Sequence, residues 1–268
     1  MKISKWAKAL FIVFYVSYAI FLYGPMFSVF VLSFQGVKGG MIFPLQDFGD
    51  LYWWKAMLSN EALRETFIRS FSIGLMVMVL TVIMSLCAAM CLRGGSRFSS
   101  LVYYCALLSL LSPGIVIGLG INVFWKASLG LPIKWYITGV AGQLSWTLPF
   151  GVLVMIAVFN RFDPRLEEAA KDLGASKWTT FREILLPNIF PGLLGAGLFG
   201  FTLAYDELSR TMFLTHKQTL PMRIYGMRML ELNPDLYALG TATTVFSFVI
   251  IATFLIIGLR LAKSRYSR

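Results

Sequence analysis

The chain has 268 residues, 57% hydrophobic and 15% aromatic but only 14% charged, a balance foreign to water-soluble domains, so most of its surface meets lipid. The formal net charge of +11 does not imply nucleic acid as a partner, because the basic residues sit in small groups between apolar runs and form no single patch. One histidine, His216, and three cysteines inside apolar runs, Cys87, Cys91 and Cys105, give no metal-ligand spacing and no disulfide framework. The cysteines read as small core residues.

Apolar runs at 9–34, 67–92, 99–125, 138–160, 190–213 and 236–261 each suffice for a tilted transmembrane helix, at about 20 residues per crossing. They predict an all-α protein, a six-helix membrane bundle in one domain, 1–268. The first run follows Lys2, Lys5 and Lys8 as a secretory signal does, but it continues past Pro25 to Phe34 with no small-x-small site, so it is a span. Residues 48–60, with Trp53 and Trp54, are too short and polar to cross and read as an interfacial element, tryptophans being headgroup anchors.

The next spans flank the Arg93 to Arg97 turn and carry Pro113, Gly114, Gly118, Asn122, Trp146 and Pro149. A proline in a span removes a backbone donor, tolerated only where a neighbouring helix or water satisfies the freed carbonyl. Asn122 and Trp146 are pathway candidates that serve packing and helix–helix hydrogen bonding equally well.

The segment 161–190 follows. Asp163 suits an N-cap, Pro164 the first helical position and Gly174 a left-handed stop. Between them Leu166, Ala169, Ala170 and Leu173 form one apolar stripe opposite Arg165, Glu168, Lys171 and Asp172. A second helical stretch runs from about Lys177 and ends before Pro187. Such a helix suits docking in a groove of another protein or lying on the membrane surface.

In the fifth span Gly192, Ala196, Gly200 and Ala204 recur every fourth residue, a spacing that lets helix backbones approach closely. Asp206 and Glu207 follow at its outer end, where carboxylates are costly unless they face water or a cation. At least Asp206 is expected to line a pathway for a cationic cargo, with Tyr205 and Phe201 as cation–π faces; Arg210, four residues on, offers Asp206 a structural partner instead. Residues 214–232 read as a second interfacial element. With six spans and both termini cytoplasmic, 14 of the 24 Lys and Arg fall inside and 10 outside, a modest positive-inside bias in which Lys2, Lys5 and Lys8 beside the first span and Arg260, Lys263, Arg265 and Arg268 in the tail weigh most.

Glu168-Ala169-Ala170, three residues, Gly174, nine residues, then Ile184-x-Leu186-Pro187 resembles the "EAA" signature of ABC importer permeases in every defined position. Ser112-Pro113-x-Ile115-Val116, Leu148-Pro149-Phe150, Asp206-Glu207, Leu220-Pro221, Asn233-Pro234 and Ala238-Leu239 extend the likeness toward spermidine/putrescine-type permeases. The resemblance implies a type I importer bundle in the bacterial inner membrane, working by alternating access, with no chemistry of its own. Glu168, Ala169, Ala170, Gly174, Ala175, Ile184, Leu186 and Pro187 are then the coupling residues. Implied partners are a second, related permease chain, two ATP-binding-cassette ATPase subunits that bind ATP and Mg, and a periplasmic substrate-binding protein. No G-x-x-x-x-G-K-[ST] phosphate loop occurs here, so no cofactor is expected in this chain. Within the family the cargo could instead be an opine, an amino-acid-like amine, a phosphonate or an inorganic ion. A secondary transporter, the main rival, calls for ionisable residues near the midplane or paired broken helices. An intramembrane enzyme lacks a histidine-rich metal set or a Ser/His pair.

Overall fold

The computed structural model describes residues 4–37, 47–95, 97–230 and 235–266, and every regular element among them is helical. Lys2, Asn233, Pro234 and Arg268 lie outside the described residues. The chain folds as two compact units, residues 1–64 with 224–249 and residues 65–223 with 250–268.

In the first unit, α1 (Lys5–Leu32) begins where Ser4 Oγ accepts the amide of Ala7 at 3.2 Å, a side-chain cap on an otherwise orphan donor. Pro25 stays inside this helix, and of the described α1 residues Leu32 alone is buried. A fully apolar rod with an exposed surface is stable only in hydrocarbon. α2 (Tyr52–Ser59) is the expected short element, with Trp54 and Phe34 ring centroids 5.7 Å apart. Gly240 in α12 (Asp235–Tyr266) leaves room for Val29, whose carbonyl accepts from Thr241 Oγ1 at 3.5 Å.

The second unit is built on α3 (Glu61–Arg93), α6 (Val140–Phe159) and α9 (Leu186–Tyr205). Ala89, Met155, Phe159, Leu185, Ile189 and Leu193 form one buried cluster; Ile73, Val77, Val140 and Ala204 form another. The small-residue stripe of α9 serves both neighbours: a Cβ on Gly192 would stand 2.5 Å from Val158 of α6, and one on Gly200 3.0 Å from Thr81 of α3. A hydrogen bond of 2.8 Å joins Thr81 and Thr147 where α3 meets α6. Thus α9 packs against both α3 and α6, as small residues allow in lipid.

The third apolar run is not one straight helix. It forms α4 (Ser99–Leu111) and α5 (Gly114–Val123), the latter prolonged by a π-helical segment Phe124–Ser128, with a bend of 109° between them. Counting the bent pair as one span gives six candidate crossings, and otherwise five. Two hydrogen bonds favour six. Ser99 Oγ donates to Cys91 O near the C-terminal end of α3, whereas Asn122 Nδ2 donates to Phe213 O beyond the far end of α9. The pair therefore starts at one end of the bundle and finishes at the other.

Pro149, by contrast, stays within α6. It cannot donate to Ser145 O, four residues earlier, and Ser109 Oγ of α4 donates there instead. The freed carbonyl is satisfied by a neighbouring helix, as hydrocarbon requires.

Two further expectations change. The stretch from Lys177 does not end before Pro187: α8 (Lys177–Thr179), a π-helical segment Thr180–Leu185 and α9 run on as one 29-residue span. Pro187 falls in the first turn after the π segment, where the change of hydrogen-bond register already displaces donors, and Asn188 Nδ2 donates to Ile184 O at 2.6 Å. Cys87 and Cys105 are exposed and not in the core, on a surface that hydrocarbon suits.

Candidate functional site

The two ends of the second unit carry short structured segments, one at 161–187 and one at 206–219. At the first, Asp163 Oδ1 accepts the amide of Arg165 at 3.0 Å, Pro164 adopts helical angles, and α7 (Arg165–Asp172) follows. It stops by a double bond pattern: Gly174 N–H donates to Lys171 O and Ala175 N–H to Ala170 O, each at 2.9 Å. Gly174 has φ of +81°, the left-handed residue this stop requires. Ser176 then restarts the helix, its Oγ accepting the amide of Thr179 at 3.1 Å. Gly174 stops the helix where its residue type predicts, while the start falls one residue later than expected, Pro164 standing at the cap position and Arg165 opening the helix.

The apolar stripe of α7 splits in two. Ala170 is buried against the chain, but Leu166, Ala169 and Leu173 are exposed, Leu173 at 88%. Glu168 is exposed as well, whereas Ala175, Ile184, Leu186 and Pro187 are half-buried on or beside the helix that continues into the span. A short helix that turns two leucines outward leaves an apolar face uncovered by this chain.

What holds α7 in place is a pair the sequence did not single out. Arg93, in the last turn of α3, forms a bidentate bridge to Glu167, with both N···O distances 2.9 Å. Its guanidinium also lies 5.6 Å from the Phe159 ring centroid and 5.2 Å from that of Phe162. A planar fork stacked on rings and matched to a carboxylate is a role lysine cannot copy.

At the other end α9 stops at Tyr205, and Asp206 leaves helical geometry with φ −103° and ψ 6°. This separates the acidic pair. Asp206 is exposed, while Glu207 turns inward to pair with Arg210 at 3.3 Å, their side chains 15% and 4% exposed. Arg210 is therefore the partner of Glu207, not of Asp206, because the chain between them is a turn and no helix sets an i,i+4 register. The Arg210 guanidinium sits 4.7 Å from the Trp146 ring centroid. A Cβ on Gly114 would stand 2.8 Å from Arg210 Nη1, and one on Gly118 2.7 Å from Arg210 O. These glycines admit the turn, not a second helix, against α5.

Polar side chains complete this seat. Gln143 Nε2 donates to Thr211 Oγ1 at 2.5 Å, Thr211 donates to Glu207 O at 3.0 Å, and Thr138 donates to Leu214 O at 2.6 Å. α10 (Thr211–Leu214) is thereby fixed to α6 and to the π-helical segment Trp135–Gly139 that leads into it. α11 (Leu220–Leu230) follows with Pro221 in its first turn, which needs no amide there.

The remaining pathway candidates are packed. Phe201 and Tyr205 stack at 5.7 Å and meet Phe71 and Phe67 of α3 edge-on at 5.8 and 6.4 Å. Both are buried. Asp206 is the one exposed residue of the five, and Trp146 and Glu207 are half-buried.

A family model described as "Binding-protein-dependent transport system inner membrane component" matches residues 81–266. The chain is 29% identical over 234 residues to the spermidine/putrescine transport system permease protein PotC of Escherichia coli K12, covering 86% of this chain and 87% of that protein. It is 26% identical to the putrescine transport system permease protein PotI of the same strain, with 82% and 80% covered. Among solved structures, a bacterial ABC transporter involved in import of the acidic polysaccharide alginate superposes with a TM-score of 0.65 at 16% identity, covering 94% of both chains. The MetNI methionine ABC transporter gives 0.57 at 16% identity, covering 76% of this chain and 98% of its own. At such identities these structures speak for the fold alone.

Proposed function

Because the chain belongs to the family of binding-protein-dependent transport system inner membrane components, we propose that it is the permease subunit of an ATP-driven importer for polyamines such as putrescine and spermidine. The outward face of α7, Leu166, Ala169 and Leu173 beside the turn at Gly174, carries this reading. It is the surface a separate ATPase subunit would grip. The likeness to PotC and PotI supports the cargo class. So does Asp206, an exposed carboxylate at the end opposite α7, since a carboxylate facing water at a pathway mouth favours a cationic cargo.

In this reading two ATPase subunits bind ATP and Mg, this chain holds no cofactor and catalyses nothing, and a second, related permease chain supplies the other half of the pathway. A binding protein delivers cargo at the Asp206 end, and both termini are cytoplasmic with α7. Uptake of labelled putrescine and spermidine, measured with and without this chain and its ATPase, tests the proposal. Loss of uptake in either deletion supports it. Unchanged uptake in both refutes the polyamine cargo, and uptake independent of the ATPase refutes the importer. Asp206→Asn should lower putrescine uptake several-fold without loss of the assembled complex; normal uptake would remove Asp206 from the pathway.

A further inference from the structure

We propose that Arg93 is a positioning residue that converts movement of the docking helix α7 into movement of α3, so that the Arg93–Glu167 bridge couples ATP hydrolysis to transport. The inference rests on the importer reading above and adds a residue on a different helix from the coupling signature.

Three observations carry it. First, α7 divides its functions by face: Leu166, Ala169 and Leu173 point away from the chain, while Ala170 and Glu167 face it. A partner gripping the outer face needs a firm connection on the inner one. Second, that connection is unusually constrained for a bridge near the surface. It is bidentate at 2.9 Å, the two side chains are 30% and 19% exposed, and the guanidinium has an aromatic ring of Phe159 and one of Phe162 within 5.6 Å. A single exposed pair would swivel; a planar fork matched to a carboxylate and packed on rings holds its direction. Third, Arg93 ends α3 and Phe159 ends α6. One guanidinium thus joins the docking helix to the ends of two helices of the bundle.

Rigidity in this junction is what coupling needs. α7 is only eight residues long and is flanked by a turn at Asp163 and another at Gly174. Without a cross-link those turns would let α7 follow the partner while α3 stayed still.

The test uses the assembled complex of this chain with its permease partner and ATPase subunits in proteoliposomes, with the binding protein and labelled putrescine supplied. Arg93→Ala and Arg93→Lys are compared with the unaltered chain for co-purification of the ATPase, ATP hydrolysis and putrescine accumulated per ATP consumed. The ATPase should co-purify normally with both variants, because the outer face of α7 is untouched. Putrescine per ATP should fall about tenfold in Arg93→Ala and only partly recover in Arg93→Lys, which restores charge without the fork. A normal ratio in Arg93→Ala overturns the proposal. So does loss of ATPase binding in both variants, which would make the bridge merely structural. If the unaltered complex consumes ATP without importing putrescine, the cargo assignment fails separately, and the ratio is then read from ATP hydrolysis stimulated by the binding protein. Stimulation that persists in Arg93→Ala overturns the proposal, and its loss with the ATPase still bound supports it.

Discussion

The segment at 161–187 and the turn at 206–219 use the same chemistry to opposite ends. Each has an arginine paired with a glutamate and backed by an aromatic ring: Arg93, Glu167, Phe159 and Phe162 at one end, Arg210, Glu207 and Trp146 at the other. In the first the pair is half-open and the helix beside it turns leucines to the outside. In the second the arginine is 4% exposed, and Gly114 and Gly118 close around it. With its arginine 30% exposed the first pair ties α7 to the end of α3; with its arginine 4% exposed the second fastens a turn to the bundle.

Breaking the enclosed pair should cost most. Arg210→Ala leaves the largely buried Glu207 carboxylate without its cation, for a loss of about 3 kcal/mol or more, read as a fall in the thermal midpoint of the detergent-solubilised protein. An unchanged midpoint would mean that water already reaches Glu207. Gly118→Ala comes next. Its new Cβ meets Arg210 backbone at 2.7 Å, which cannot swing aside as a side chain would, and overpacking of this kind costs about 1–3 kcal/mol. A neutral result would show that α5 can shift away from the turn. At the docking end the expected stability change is smallest and the functional change large. Gly174 has a φ of +81° and nothing within 4 Å of a Cβ position, so Gly174→Asp carries only a backbone cost of about 1 kcal/mol yet places a charge beside the outer face of α7. Co-purified ATPase should fall sharply, and Gly174→Asn, which tolerates the same angles without charge, should retain much more of it. Equal losses would assign the effect to the backbone.

The short helix between Asp163 and Gly174 was legible in the sequence because its signals are local. Asp163, Pro164 and Gly174 each act within a few residues of themselves, and caps and stops do not wait on tertiary structure. The bend at Ser112–Pro113 was not. Pro113 and Pro149 look alike along the chain, and what separates them is distant: Ser109 supplies a donor for the carbonyl that Pro149 frees, while Pro113 opens onto glycines that must admit Arg210. The pairing of Arg210 failed for a related reason. Counting four residues back to Asp206 presumes a helix, and α9 had ended one residue earlier. The bridge from Arg93 to Glu167 spans 74 positions, and neither residue carries a local mark of the other.

The helix from Lys177 to Tyr205 joins the two ends without interruption. At about 1.5 Å per residue its 29 residues make a rod of roughly 43 Å, longer than the ~30 Å of hydrocarbon it crosses. Its first turns lie next to α7, and its last residue abuts Asp206. The rod is held midway by the core formed with α3 and α6. A partner that tilted it at Ser176 would carry its Asp206 end the opposite way, a rigid-body route that runs beside the Arg93–Glu167 bridge.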